Sequence, residues 1–179
     1  MITGSAASSI LAIDIGSSSA RAALFDEGGN PVEGTLCRVT YRLDTGSDGR
    51  AEFDPEQLVD RIDALLDRVH QAAAAPVRAV GVSCFWHSLL GLDASGRPGT
   101  RVSMWADTRA RETTHRLRER LDAMVHHQRT GAYLHPSYPV ARYAWLVERF
   151  PELRNVVRHW CAFPDYLFAR WTGAYRTSV

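Results

Sequence analysis

The chain has 179 residues, 45% of them apolar and 23% charged, with a formal charge of +1. This is the composition of a soluble globular protein long enough to bury a core without disulfides or metal. The near-zero charge excludes an electrostatic nucleic-acid binder, and all 21 basic residues being arginine excludes any P-loop or Schiff-base lysine within these residues.

Residues 1–9 are small and polar with no basic n-region, and no apolar stretch approaches the roughly 20 residues of a membrane span. Residues 10–15 form a short β-branched apolar run bounded by Gly16 and three serines, which predicts a buried strand ending in a tight turn. A second strand is predicted over 21–26, a turn at Gly28-Gly29-Asn30-Pro31, and a third strand over 32–43. Three strands joined by short turns predict an antiparallel meander. After a loop at 45–50, Asp54-Pro55-Glu56-Gln57 opens a helix, and Leu58, Ile62, Leu65 and Val69 mark its apolar face. Strands are predicted over 79–84 and 88–92. One helix is predicted over 108–126 with Leu117, Leu121 and Met124 on its stripe, and two more over 139–150 and 165–171. Strands first and helices afterwards predict a mixed α/β domain.

Cys37, Cys84 and Cys161 form no Cys-x-x-Cys pair, so they read as buried or free thiols of a cytoplasmic protein. His126-His127 lacks metal-ligand spacing and reads as surface. The chain closes on Tyr175-Arg176-Thr177-Ser178-Val179 with no terminating element, which reads as a cut.

The sharpest chemical feature is Asp14-Ile15-Gly16-Ser17-Ser18-Ser19 followed by Arg21. A strand end presents a carboxylate, and the Gly/Ser turn presents backbone N–H groups and hydroxyls that can cradle phosphate oxygens. Asp14 suits Mg²⁺, which takes one or two carboxylates and keeps several waters. Arg21 either adds a charge-assisted contact or braces the turn.

The run from Leu11 to Asp26 resembles the first phosphate motif of the FGGY carbohydrate kinases. Further matches follow in order. Glu52-Phe53-Asp54-Pro55 resembles the family's entry to its first helix, and Phe85-Trp86-His87-Ser88 stands at its Gln-Met-His-Gly segment. Trp105-Ala106-Asp107-Thr108-Arg109 resembles its Trp-x-Asp-x-Arg signature, and Asp165-Tyr166-Leu167 and Trp171-Thr172-Gly173 its later elements. The resemblance implies an actin/hexokinase-type (ribonuclease-H-like) fold, with a mixed sheet opened by the antiparallel three-strand meander and flanked by helices. It implies that residues 1–179 are an incomplete N-terminal sugar- and phosphate-binding domain, without the C-terminal nucleotide-binding domain. The implied activity is transfer of the γ-phosphoryl group of ATP, with Mg²⁺, to a hydroxyl of a small-molecule sugar or sugar acid.

Carried over by position, Asp14 would anchor metal and phosphate, with Gly16, Ser17, Ser18, Ser19 and Arg21 lining the phosphate end. Trp86 and His87 would face the sugar, Asp107 would bond its hydroxyls, and Trp105, Arg109 and Tyr138 would complete the wall. Read without the family, Trp86 and Trp105 are core packing and His87 is a structural histidine. The catalytic base, an aspartate, is expected beyond Val179, so no residue here is assigned that role and the chain alone is expected to be inactive. The segment from Thr130 to Pro139 resembles gluconokinase-like members, and Arg142 stands where many relatives have lysine. Both turn the reading towards gluconate over a pentulose, because an arginine-rich pocket suits a sugar carboxylate. Neither a nucleic-acid nor a membrane partner is expected, and a homodimer of the full-length protein stays open. The alternatives are a non-catalytic sugar-binding fragment and another actin/hexokinase-type ATPase.

Overall fold

A computed structural model of the protein describes residues 8–176. The predicted apolar run forms β1 (Ser9–Ile15), and the Gly/Ser turn returns the chain as β2 (Ser19–Phe25), antiparallel, with Asp14 opposite Arg21. The third strand is shorter than its predicted span: only β3 (Cys37–Thr40) pairs with β2. Residues 32–35 are taken by a turn, in which Gly34 has φ 76° and the Thr35 hydroxyl donates to Val32 O at 2.7 Å. The predicted loop at 45–50 is the tip of a hairpin between β4 (Asp44–Thr45) and β5 (Ala51–Phe53), closed by Gly46 N–H donating to Arg50 O at 3.0 Å.

Helix α1 (Pro55–Gln71) follows, and then β6 (Val77–Cys84) and β7 (Leu90–Leu92). The two-residue β8 (Val102–Ser103) pairs with β5. Where one helix was predicted, two form, α2 (Arg111–Arg120) and α3 (Ala123–Thr130). Leu121 is extended between them, and the Asp122 carboxylate accepts from Met124 N at 2.9 Å and Val125 N at 3.0 Å, starting a new helix. The remaining elements are α4 (Pro139–Arg149), a short α5 (Leu153–Val156), β9 (His159–Cys161) and α6 (Phe163–Thr172). β9 pairs antiparallel with β7 and was not expected from the sequence. No helix of the described residues is long and apolar enough to cross a membrane.

The chain divides into two compact units. The first, over 8–42 and 57–85, is a four-stranded mixed sheet in the order β3-β2-β1-β6, with β1 and β6 parallel. This is the expected sheet opened by an antiparallel meander. Its core joins Ile13, Ile15, Ala20, Ala22 and Leu24 from alternate strand positions to Leu58, Ile62, Leu65 and Val69 of α1, all buried. The second unit, over 43–56 and 86–176, holds the β4-β5-β8 sheet, the β7-β9 pair and helices α2 to α6. Leu90, Leu92, Val102, Met104, Phe163 and Leu167 are buried within it. In this unit Gly91 is a steric necessity, since a Cβ there would lie 2.8 Å from Val157 Cγ2.

Candidate functional site

The phosphate-turn residues belong to the first unit. Asp14 ends β1 on the sheet face away from Ile13 and Ile15, half-exposed, and Arg21 reaches it across the hairpin at 2.8 Å. They border an open recess of about 560 Å³ whose floor includes Ala12, Ala23, Gly81 and Ser83. The turn itself is tight: Gly16 N–H donates to Ser19 O at 2.9 Å, while Ser17 and Ser18 face solvent. Arg38 donates to Ser19 Oγ at 3.3 Å, so two guanidinium groups flank the turn.

Tyr41, which carried no signal in the sequence, braces this turn from behind. Its hydroxyl donates to Gly16 O at 2.6 Å and its N–H to Ser18 O at 3.0 Å. Burial, with the neighbouring Cys84 and Asp14, raises the Tyr41 pKa, so its hydroxyl keeps its proton as a donor. Burial likewise pushes the Cys84 thiol up to about 12, which leaves it unreactive.

A single accessible carboxylate fits an Mg²⁺ ion that arrives with a phosphate ligand rather than one caged by protein. Among the described residues no group of three or more His, Cys, Asp or Glu could hold a metal.

The expected sugar-facing residues belong to the second unit. Trp86 is 77% exposed and Trp105 50%, so neither is the core residue that its type alone suggests. His87 takes a left-handed conformation with φ 56°, the one non-glycine among the described residues to do so. Strain of this kind persists where surroundings over-determine it. The His87 ring meets Tyr138 edge-on at 4.7 Å, Trp86 lies 6.1 Å from His87, and His135 lies 5.9 Å from Tyr138. The structure thus joins residues 86, 87 and 138 into one aromatic wall with polar edges. Burial, then the charges of Arg142 and His135, lower the His87 pKa and favour the neutral imidazole.

Asp107 is placed differently from its expected role. It is 1% exposed, and its carboxylate accepts from Arg109 Nε at 3.0 Å, Arg109 N at 3.0 Å and Ser103 Oγ at 3.3 Å. Arg109 also pairs with Glu52 and lies 4.5 Å over the Trp145 ring. The two carboxylates outweigh the effect of burial and raise the Arg109 pKa. Arg109, Glu52 and Trp145 therefore form a brace around the buried Asp107, whose carboxylate oxygens both accept from protein donors. Glu52 stood in a recognised motif, but nothing near it in sequence marked Arg109 as its partner.

Arg142, read as a carboxylate binder, is fully buried, and its Nη atoms donate to three backbone carbonyls. It presents no fork to a pocket. Ser88 has a structural task, accepting from Phe163 N at 2.9 Å to hold the start of α6.

The family described as the FGGY family of carbohydrate kinases, N-terminal domain, matches residues 9–179. The chain is 28% identical to a gluconokinase of Bacillus subtilis, over 93% of its own length and 32% of that protein. It is 31% identical to a xylulose kinase of Streptomyces coelicolor, over 92% of its length and 34% of that protein. Among solved structures, a gluconate kinase from Lactobacillus acidophilus superposes with TM-score 0.88 at 25% identity, covering 94% of this chain and 34% of that one. The chain thus spans about a third of the length of the relatives it matches. The meander-opened mixed sheet is the actin/hexokinase-type fold of these kinases, and the chain belongs to the FGGY family of carbohydrate kinases, matching its N-terminal domain.

Proposed function

We propose that the chain is the sugar- and phosphate-binding domain of an ATP-dependent carbohydrate kinase, which moves the γ-phosphoryl group of ATP to a hydroxyl of a sugar or sugar acid. The observation that supports this most is the exposed wall of Trp86, His87 and Tyr138 in a chain matching the FGGY N-terminal domain over 9–179. Apolar ring faces suit the C–H faces of a sugar, and a neutral imidazole both donates and accepts hydrogen bonds to hydroxyls. Asp107 supports the wall through Arg109 in this reading, instead of touching the sugar.

At the other end of the reaction, Asp14 holds Mg²⁺, and the 16–19 turn with Arg21 receives phosphate oxygens. Bound Mg²⁺ supplies charge neutralisation of the transferring phosphoryl group. Gly16 to Ser19 orient that group, and no residue of the 179 is assigned as the base. Gluconate is the favoured acceptor because a gluconokinase and a gluconate kinase stand among the relatives; the fully buried Arg142 lends this choice no support.

Titration calorimetry of the 179-residue chain with gluconate, D-xylulose and glycerol, with and without MgADP, tests the reading. Gluconate binding at least tenfold tighter than D-xylulose is expected, with no sugar-dependent ADP release by the chain alone. Tighter D-xylulose binding moves the acceptor to a pentulose. Binding of none of the three sinks the sugar-site assignment, and nucleotide binding without any sugar response favours another actin/hexokinase-type ATPase.

A further inference from the structure

Arg142 lies on the first turn of α4 with 0% of its surface exposed. Burying a guanidinium is costly unless each donor finds a partner. Among the described residues its partners are three backbone carbonyls and, at 3.4 Å, the Ser103 hydroxyl. Nη1 donates to Ser103 O at 2.6 Å, and Nη2 donates to Ser137 O at 2.8 Å and to His87 O. Nε is buried with no partner, so the residue is placed for its two Nη atoms alone. Burial lowers the Arg142 pKa to about 10, which still leaves it a cation at neutral pH.

The three carbonyls come from three separate stretches of chain. His87 O belongs to the one left-handed non-glycine of the described residues. Ser103 ends β8, two residues before Trp105. Ser137 immediately precedes Tyr138, the N-cap of α4. Each anchored carbonyl therefore belongs to, or lies within two residues of, one of the expected sugar-facing residues His87, Trp105 and Tyr138.

We infer that Arg142 is a positioning residue for the sugar site, its guanidinium fixing at once the backbone that carries His87, Trp105 and Tyr138. The inference rests on the sugar-site reading for its function, although the geometry is independent of it. Preorganising three side chains from one buried centre removes the need for a ligand to order them on binding. It also explains how His87 keeps its left-handed backbone: Arg142 pulls on its carbonyl directly. A planar fork spreads donors over two nitrogens, which a lysine ammonium does from one point and a glutamine amide from a single NH₂ group.

The test compares wild type, Arg142→Lys and Arg142→Gln by NMR of the His87 and Tyr138 rings without sugar, and by calorimetry with gluconate and D-xylulose. Ring resonances should move further from wild type in Arg142→Gln than in Arg142→Lys. Sugar affinity should fall in the same order, at least tenfold for Arg142→Gln. Against a His87→Ala background the Arg142→Gln loss should shrink, since part of its effect passes through His87. Unmoved His87 and Tyr138 resonances in a folded variant, with only the melting temperature lowered, would overturn the inference and leave Arg142 a packing residue. If Arg142→Gln does not fold, Arg142→Lys against wild type decides by the same resonances. A wild type that binds no sugar defeats the proposed function, while the ring resonances still judge Arg142.

Discussion

Two carboxylates expected to bind ligand, Asp14 at the phosphate end and Asp107 at the sugar, sit in opposite surroundings. Asp14 is half-exposed and paired with an equally exposed Arg21, a kind of pair worth about 0–1 kcal/mol. Asp14→Ala should therefore change stability by less than about 1 kcal/mol while weakening Mg²⁺-dependent phosphate binding at the 16–19 turn. Asp107 is buried against Arg109, and its removal strands a cation that Glu52 only partly balances. Asp107→Ala should cost about 3–5 kcal/mol in urea denaturation. Equal losses for the two variants would contradict this division.

His87 makes a third expectation: its NMR titration midpoint lies below 6.5, because burial and the nearby Arg142 and His135 oppose the imidazolium. A histidine with a lowered folded pKa leaves the unfolded chain holding more protons between the two pKa values. Stability therefore rises with pH through that window and falls on acidification below about 6.5, by a small amount because His87 is exposed. A midpoint at or above 6.5 would remove Arg142 as a charge neighbour. The sequence motifs picked out these residues by identity alone. They could not say which carboxylate was buried, since Glu52 lies 57 positions before Arg109.

At the scale of elements, legibility followed length and period. In α1, Leu58, Ile62, Leu65 and Val69 recur at helical spacing, and all four are buried against the sheet of their unit. Ile62 is completely enclosed, so Ile62→Ala should cost about 2–5 kcal/mol with the denaturant slope unchanged. A cost below about 1 kcal/mol would mean that the helix is not the lid of that core. The two-residue strands β4 and β8 carry no period at all and are held by pairing, both with β5 and β8 also with Leu89. The break between α2 and α3 was hidden for a different reason. Leu117, Leu121 and Met124 keep helical spacing across it, yet Leu121 and Met124 are exposed, so the apolar stripe was not the force shaping that segment. The Asp122 cap was, and one capping side chain inside a periodic pattern is easily overlooked.

For the molecule as a whole, the least satisfied surface is β6. Among the described residues it is the last strand of its sheet, hydrogen-bonded to β1 on one side only, and seven of its eight residues are exposed. Val80 is 56% and Val82 48% exposed, although both alternate onto the face where Leu11, Ile13 and Ile15 of the neighbouring strand turn inward. An open edge with apolar side chains is a template for pairing with another chain, and β6 has none of the usual protections of an edge beyond Arg78. The 179-residue chain should therefore self-associate in a concentration-dependent way, visible as a rising weight-average mass in sedimentation velocity. Val82→Lys should suppress this, since a charge on an edge strand opposes edge-to-edge pairing and Val82 is exposed enough to be replaced without opening the core. An exposed substitution away from this edge, Met124→Lys in α3, serves as the comparison. If it suppresses association while Val82→Lys does not, the adhesive surface is α3. If Val82→Lys alone restores a monomer, the edge of the sheet that carries Asp14 is where this chain meets other polypeptide.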